Sequence, residues 1–443
     1  MRRLKNVDSK IWLTLLLLIH LILLINIKFT AWPEMLAWPY LMLKGWLPYK
    51  DIAIAHTPFL FTVLSGFFKL TGIGLVQLEI FSWILILITD YLVFWVSNKL
   101  WGKSVALLST IIFIFLHIFY EGNGLWFDLA LTPFMIVLFY FFKKQKYLWL
   151  GVFWALAFLV KQTAFWFLVP ITIYTLQGET LKGAKSVIAK IFYSSLIVFI
   201  PFTLFLISFR LFDDFYIWAI KFGMRVLPSA SGQISLPTLI QLVKAYLTFI
   251  PLIFIPELLI WSLAGSLFAF PRWELFHFQP ALPYIAFGFA IILSKPKNNI
   301  RKLISIIVLI IFLYPLARTI IRDWGKPARF YDSEILEVSA FVKQKIQPDE
   351  KILVLNSWDH LYALTETLPS YRPWMPQLSW YLKQNNLEDE MYKDIEKENP
   401  RIIILSPYKE SGLGSYKPFF ADQLISKYTK VYKTDNYEVL EIK

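Results

Sequence analysis

The feature that most constrains this 443-residue chain is a series of apolar segments long enough to cross a lipid bilayer. A transmembrane helix needs about 20 mostly apolar residues, because the hydrocarbon core is about 30 Å thick. Hydrophobic residues make up 57% of the chain and charged residues only 17%, below the roughly 25% typical of soluble domains. We therefore predict an α-helical polytopic membrane protein with eleven spans, at residues 11–30, 74–97, 104–120, 125–142, 147–160, 163–178, 191–209, 237–255, 257–270, 279–294 and 303–320.

The distribution of Lys and Arg predicts the orientation of these spans. With the N-terminus inside, the inner segments hold 16 basic residues in 40 positions, whereas the outer segments hold 8 in 83. Cytoplasmic loops carry an excess of Lys and Arg, so this bias favours an N-in topology. The first apolar run is about 20 residues long and no small-residue cleavage site follows it, so we interpret it as a retained span rather than a signal peptide. An odd number of spans then places the C-terminus outside.

Two pairs of segments are the weak point of this count. The pairs 147–160/163–178 and 237–255/257–270 contain segments shorter than a usual span. Each pair is interpreted as a hairpin that stops partway, or, for the second pair, as one long helix broken by Pro251 and Pro256. One span gained or lost here would reverse the predicted side of the C-terminus.

After residue 320 the composition changes to that of a soluble domain. Residues 321–443 hold 19 of the 31 acidic residues. The runs 351–356 and 401–405 are typical of buried strands, and residues 431–442 alternate like a strand pair with a turn at 434–436. Helical patterns cover residues 332–345 and 359–366. We predict two domains, a membrane module at 1–320 with its first outer loop at 31–73, and a small extracytoplasmic α/β domain at 321–443.

In this topology the unusual polar residues gather on the outer side. Carboxylates that transfer protons and cations that hold an anionic group would then share one compartment. We expect the acid after the first span and the cations of two distant turns to converge on a single pocket. The candidates are Glu34, Asp51 and His56 in the first outer loop, Asp128 at the start of the fourth span, Lys161 and Gln162 at a hairpin tip, and Arg272, Glu274 and His277 in the segment 269–284.

Each candidate also has a purely structural interpretation. Glu34 and Asp51 could be solvated loop residues, and Asp128 could cap a helix. Lys161 could extend to the lipid headgroups, and Arg272 and Glu274 could form an ion pair beside a structural histidine. In the second span we expect Glu79 and Asp90 to pair with basic or tyrosyl groups, and we expect His20 and His117 to lie at the membrane interface.

Several classes of chemistry have little support. The chain has no cysteine, so disulfides and thiolate metal sites are excluded. The net charge of +13 comes from short clusters between apolar runs and does not indicate nucleic-acid binding. No phosphate-binding Gly-rich loop is present, and the five histidines are scattered. No cofactor is required, although a divalent cation would fit an oxygen site formed by Glu34, Asp51 and Asp128.

Three segments carry a resemblance to a known family. Residues 45–51 (GWLPYKD) and 56–58 (HTP) resemble the G-x-x-P-Y-x-D…H-x-P segment of GT-C fold glycosyltransferases, the relatives of the protein O-mannosyltransferases and lipid A aminoarabinose transferases. Residues 159–162 resemble their L-x-K-[GQ] turn, and 271–283 their R-x-x-x-H-[YF]-x-x-P segment, with four residues instead of three between Arg and His. Where the family often has an Asp-Glu pair after the first span, this chain has Pro33-Glu34.

The resemblance implies an inverting transfer of a sugar from a polyprenyl-phosphate carrier to an acceptor at the outer face of the cytoplasmic membrane. Glu34 would be the general base, and Lys161, Arg272 or His277 would hold the carrier phosphate. Asp51 and Asp128 would orient the base or bind sugar hydroxyls. The implied partners are the lipid-linked donor, membrane lipids and a glycan, lipid or protein acceptor, without nucleic acid.

Two other functions remain open on sequence grounds. A flippase or transporter of lipid-linked sugars would need polar residues along a path through the midplane and often has inverted repeats, which we do not find in the sequence. A catalytically inactive binding protein is the third possibility, because the acid pair after the first span is incomplete.

Overall fold

The computed structural model describes residues 9–226, 234–294, 298–374, 387–406 and 421–443. Residues 1–8 and 295–297, which enter the count of basic residues, lie outside the described residues. The helices up to residue 226 are α1 (Ser9–Asn26), α2 (Glu34–Leu43), α3 (Phe59–Thr71), α4 (Leu75–Trp101), α5 (Lys103–Phe119), α6 (Phe127–Lys143), α7 (Tyr147–Val160), α8 (Leu168–Gly178), α9 (Leu181–Ser208) and α10 (Phe212–Phe215). The helices that follow are α11 (Leu239–Tyr246), α12 (Pro256–Ser266), α13 (Leu282–Ser294), α14 (Asn299–Asp323), α15 (Ser333–Lys345) and α16 (Leu361–Thr365).

The other helical segments are short or irregular. A π-helical segment covers Tyr216–Val226. Two more α-helices lie at Leu387–Glu398 and Ala421–Ile425. The 3₁₀ segments are Gln162–Phe167, Leu247–Phe254, Leu267–Ala269 and Leu275–Ala281.

In the described ranges, four helical stretches are long and apolar enough to cross a membrane, and they are Leu75–Trp101, Leu181–Ser208, Leu275–Ser294 and Asn299–Asp323. Six shorter apolar helices accompany them. The predicted break in the segment 237–270 is confirmed. The helix α11 gives way to a 3₁₀ segment that contains Pro251, and Pro256 starts α12 in the first helical turn, where its missing N–H costs nothing.

Residues 31–73, the predicted first outer loop, are largely helical. This stretch contains α2 and α3, and seven consecutive residues of α2, Met35–Leu41, are buried. Its prolines are compatible with a helix, because Pro33 stands at the N-cap and Pro39 is accommodated inside α2. Proline and tryptophan therefore mark a buried helical segment here rather than an irregular one.

The described chain forms two compact units that are not continuous in sequence. One comprises 1–29, 79–205 and 235–326, and the other comprises 30–78, 206–234 and 327–443. We call them the helical unit and the mixed unit. The first outer loop thus belongs to the same compact unit as the C-terminal region, whereas the predicted domains divide the chain once, at residue 320.

The core of the helical unit is α13, which packs along α5. All residues from Leu282 to Ala290 are buried, as in a helix that is apolar all round and surrounded by others. The ends of α1 and α14 meet in an antiparallel bridge between Ile27 and Trp324, and Gly325 donates a 2.7 Å hydrogen bond to the carbonyl of Asn26.

The mixed unit contains a five-stranded sheet in the order β2–β1–β3–β5–β4, formed by β1 (Lys351–Leu355), β2 (Leu368–Pro369), β3 (Ile402–Leu405), β4 (Tyr428–Lys433) and β5 (Glu438–Ile442). The strand β1 runs parallel to β2 and β3, and β5 runs antiparallel to β3 and β4. These strands and α15 confirm the predicted secondary structure of the C-terminal region. In the same unit, α2 packs against α3 and α16.

Candidate active site

Three predicted site residues from distant parts of the sequence meet in the helical unit. Asp128 lies in the first turn of α6, and Lys161 is the C-cap residue directly after α7. His277 lies in the 3₁₀ segment 275–281, directly before α13. Because α6 packs against both α7 and this 3₁₀ segment, the three side chains face one another.

The three side chains form a buried ionic cluster, which we call the triad. The Lys161 ammonium lies 2.7 and 2.8 Å from the two carboxylate oxygens of Asp128, and His277 Nδ1 lies 2.6 Å from Asp128 Oδ2. Asp128 is fully buried, and Lys161 and His277 are 6% and 8% exposed. Burying a charge is costly unless it is paired, so the carboxylate is the group that keeps the cation in this apolar setting.

A glycine allows the histidine-bearing segment to sit close to its neighbour. Gly265 in α12 faces the backbone of Pro280 and Ala281, and a Cβ at this position would lie 2.7 Å from the Ala281 nitrogen. A side chain here would push away the segment 275–281 and with it His277. The close contact thus holds the histidine at Asp128.

The other predicted site residues of this unit lie close to the triad in sequence and are not members of it. Asp128 is not a helix cap, because Trp126 occupies the N-cap position of α6, so that interpretation was wrong. Arg272 is exposed, its strand-like backbone pairs with Ser235, and its charge acts on His277. Gln162 begins the 3₁₀ segment after Lys161, and the exposed Glu274 precedes the segment that carries His277.

Glu34 belongs to the mixed unit. It is the first residue of α2 and is half-buried. The N-terminus of a helix stabilises a carboxylate by about 0.3–1 kcal/mol, because the helix dipole places partial positive charge there. This position therefore favours the ionised form of Glu34, the form that a general base requires.

Asp51 has the contacts of a residue that organises a loop. Its carboxylate accepts hydrogen bonds from the Leu47 backbone N–H at 2.8 Å and from Arg372 at 3.3 Å. The Arg372 guanidinium also lies 4.2 Å from the centre of the Trp46 ring. Two backbone hydrogen bonds of 2.8 Å attach residues 51 and 53 to Trp374. Through these contacts Asp51 holds the loop 45–51 in place.

The histidine of the second motif contributes its backbone to the same loop. The buried Tyr49, which has a positive φ of 71°, donates a hydrogen bond of 3.0 Å from its hydroxyl to the carbonyl oxygen of His56. Burial raises the pKa of the Tyr49 phenol well above its ordinary value, so this hydroxyl stays protonated and can donate. No group of three His, Asp or Glu side chains within the described residues has the arrangement to hold a metal ion.

Two titratable residues of the mixed unit were missed by the sequence reasoning. Asp359 and His360 lie between β1 and α16, past the carboxyl end of a parallel strand. Burial and, second, the charge of Glu34 raise the pKa of Asp359 well above its ordinary value. Burial lowers the pKa of His360 to about 3. The available signal was their place after a predicted strand, because ligands often bind at the carboxyl ends of parallel strands.

A second polar cluster lies deep in the helical unit. His20 Nδ1 is 2.6 Å from Asp90 Oδ2, and the rings of His20 and His117 meet edge to face at 5.1 Å. All three side chains are fully buried. The expected pairing of Asp90 with a basic group is confirmed, and both histidines are buried inside the protein.

Comparison with known proteins agrees with this architecture. Residues 55–207 match the family model described as dolichyl-phosphate-mannose-protein mannosyltransferase. Among curated proteins, none matches the chain. Crystal structures of ArnT from Cupriavidus metallidurans are similar over 98% of both chains at 12% identity, with a TM-score of 0.66 for the apo state and 0.64 for the complex with undecaprenyl phosphate.

An archaeal enzyme shares the same fold. The oligosaccharyltransferase of Archaeoglobus fulgidus in the apo form superposes with a TM-score of 0.59 at 10% identity, covering 91% of this chain and 70% of that one. At identities this low, the structural similarity establishes the fold alone. The match to the family model at residues 55–207 is a second observation, made on the sequence. The chain therefore has the GT-C fold, and the predicted resemblance to membrane glycosyltransferases of the protein O-mannosyltransferase and aminoarabinose transferase type is confirmed.

Proposed function

We propose that this integral membrane protein is an inverting glycosyltransferase that moves a sugar from a polyprenyl-phosphate carrier to an acceptor at the outer face of the cytoplasmic membrane. The observation that carries the proposal is the buried triad in a GT-C fold, because a cation held in an apolar setting is suited to a lipid-borne phosphate. The ArnT structure with undecaprenyl phosphate has the same fold and supports this donor class.

The triad supplies the phosphate end of the reaction. The ammonium of Lys161 has three N–H donors, and its two contacts with Asp128 fix its position without removing its charge. His277 is oriented through Nδ1, so Nε2 is the nitrogen available to a ligand. As the bond from the anomeric carbon to the phosphate oxygen breaks, negative charge grows on the phosphate, and preorganised cations favour that change. Arg272 adds a further positive charge near His277.

Glu34 supplies the acceptor end. In the proposed step the acceptor oxygen attacks the anomeric carbon and its proton passes to the Glu34 carboxylate. The carrier phosphate leaves with the electrons of the broken bond and needs no proton, because it is a stable anion. One base therefore suffices. Asp51 acts through the loop 45–51, and His56, Gln162 and Glu274 are proposed to contact the sugar or the carrier.

The proposed location follows from the basic-residue bias together with one structural contact. Since the ends of α1 and α14 meet at Ile27 and Trp324, the first outer segment and the C-terminal region start on the same side. With the N-terminus inside, both are extracytoplasmic. The acceptor is then a glycan, a lipid or a protein outside the cytosol.

The test is sugar transfer by the purified protein in liposomes, with a panel of labelled polyprenyl-phosphate sugars as donors and membrane extract as acceptor. We expect Glu34→Gln to lower the rate at least about 100-fold, because general-base catalysis contributes at least that factor. The matched control is Glu337→Gln, an exposed acid on α15. We expect Lys161→Met to weaken binding of the carrier, with the exposed Lys182→Met as its control.

The outcomes separate the parts of the proposal. Normal transfer by correctly folded Glu34→Gln would remove the base role alone. Normal carrier affinity and rate in Lys161→Met would remove the phosphate assignment. If no donor is consumed while labelled lipid-linked sugar crosses the bilayer, the protein is a flippase and the enzyme assignment is wrong.

A further inference from the structure

The carboxyl group of Asp359 lies within electrostatic reach of Glu34, although 325 positions separate them in sequence. Three sets of contacts in the mixed unit bring them together. The helix α16, which begins two residues after Asp359, packs against α2, which begins at Glu34. Thr30 bridges to Arg329 next to these elements, and the Ala31 N–H donates a 3.3 Å hydrogen bond to the Arg329 carbonyl.

A chain of aromatic rings joins the two short segments that carry these acids. Trp32 lies two residues before Glu34, and its ring centre is 5.3 Å from that of Phe330. Phe330 in turn meets Trp358, the residue before Asp359, at 4.7 Å edge to face. Packed rings of this kind hold the two backbone segments together, so the fold keeps the two acids in the same neighbourhood.

The surroundings of Asp359 favour its neutral form. Burial and, second, the negative charge of Glu34 raise the pKa of its carboxyl group well above its ordinary value. The cation of this segment, Arg329, stacks on the Trp32 and Phe330 rings at 5.7 and 4.6 Å. The His360 ring is neutral at physiological pH, and the pKa of the buried Tyr362 phenol is raised well above its ordinary value. Two interacting carboxyl groups release their protons in two steps that belong to the pair.

We propose that Asp359 is a positioning residue for the general base, which keeps its proton so that Glu34 carries the single negative charge of the pair. This inference rests on the proposed base role of Glu34. Glu34 is favoured as the ionised partner because it sits at the N-terminus of a ten-residue helix. The C-terminal region thereby completes an acid pair of which the sequence after α1 supplies only one member. A second negative charge would repel the anionic carrier, and a second proton would leave no base.

The test reads the protonation state of Asp359 directly. Infrared spectra of the full protein, with the aspartate carboxyl groups labelled with ¹³C, separate protonated aspartate from protonated glutamate. We expect a protonated aspartate band at pH 7 that is absent in Asp359→Asn. In Glu34→Gln the negative neighbour is gone, so the pH at which this band disappears should fall. Asp349→Asn, which alters an exposed acid paired with Lys44, should leave the band and its midpoint unchanged.

Transfer assays give a second readout. In the wild type, transfer should decline on the alkaline side as Asp359 ionises, whereas Asp359→Asn, which is neutral at every pH, should lack that decline. Absence of the aspartate band, or a midpoint that Glu34→Gln does not move, would overturn the inference. Since Asp359 is intact in Glu34→Gln, this result stands even if Asp359→Asn fails to fold. A failure of the base role itself appears separately, as normal transfer by Glu34→Gln.

Discussion

The replacement of Asp128 by Asn tests the energetics of the triad most directly. Asn keeps the shape of the side chain but removes the negative charge that holds Lys161 and His277. Removing one partner of a buried ion pair costs about 3–5 kcal/mol, because the other charge remains without compensation. Lys161 is 6% exposed and cannot turn to water without moving the end of α7. We therefore expect a loss of about 3–5 kcal/mol in the free energy of unfolding.

A double-mutant cycle identifies the origin of this loss. Lys161→Met removes the cation and leaves the buried Asp128 carboxylate with the His277 hydrogen bond alone, so it should also be destabilising. The combination Asp128→Asn/Lys161→Met removes both charges and should cost less than the sum of the single variants, by about 2 kcal/mol or more, since groups in direct contact are not additive. The measurement is reversible unfolding by denaturant in mixed micelles, followed by tryptophan fluorescence.

The control is the ion pair of Lys143 and Glu257 in the same unit. Their 2.9 Å contact lies at the other end of α6, and both side chains are about one-third exposed. Glu257→Gln should cost less than about 1 kcal/mol, because exposed pairs contribute little. The reasoning is refuted if Asp128→Asn costs no more than this control, or if the double variant costs the full sum.

Two further predictions concern the mixed unit. Asp51→Ala should lower the protection of the amides of residues 47–53 against hydrogen exchange by about 1–3 kcal/mol, since the Leu47 N–H loses its acceptor. Asp51→Asn still accepts that hydrogen bond and should lose less than about 1 kcal/mol of protection. Loss of sugar transfer with normal protection would instead make Asp51 a catalytic residue. His360→Phe should reduce the destabilisation of β1 on acidification, because the pKa of His360 is about 3 in the folded state and about 6.5 when unfolded, so protons bind the unfolded chain between these values. The raised pKa of Asp359 acts in the opposite sense below neutral pH, so hydrogen exchange of β1 must be compared between variant and wild type, and equal pH slopes would contradict the argument.

The sequence predicted the elements whose signals are local. The alternation at residues 431–442 and the turn at 434–436 predicted the hairpin of β4 and β5, because strand periodicity is visible within a few residues. The helix α2 was missed, because Pro33 before it and Trp38 and Pro39 within it conceal an apolar helix that is mostly buried. Hydrophobic periodicity identifies a helix by the contrast between its apolar and polar faces. A helix that is buried on all sides has no polar face, so this contrast is missing.

The contacts of the candidate site are non-local, and the sequence could only supply their members. Asp128, Lys161 and His277 were each identified, but the pairing that neutralises Asp128 requires α6, α7 and the segment 275–281 to pack together. The contact of Asp51 with Arg372, which lies 321 residues away, could not be predicted from the sequence. A carboxylate in an outer loop has the same sequence signature whether it reacts or holds a turn.

The side of the membrane on which the C-terminal region starts can be related to that of the first outer segment by one contact, without counting the spans between them. From sequence, that side depended on whether the number of spans is odd, and one misjudged segment among residues 237–270 would reverse it. The bridge between Ile27 and Trp324 does not depend on what happens between them. The contact between Lys28 and Asp323, 3.3 Å apart, lies at the same junction. Whichever side receives the end of α1 also receives the end of α14, so the acid at position 34 and the region that holds Asp359 start from the same membrane face. An acid pair drawn from both is compatible with the course of the chain for any number of spans.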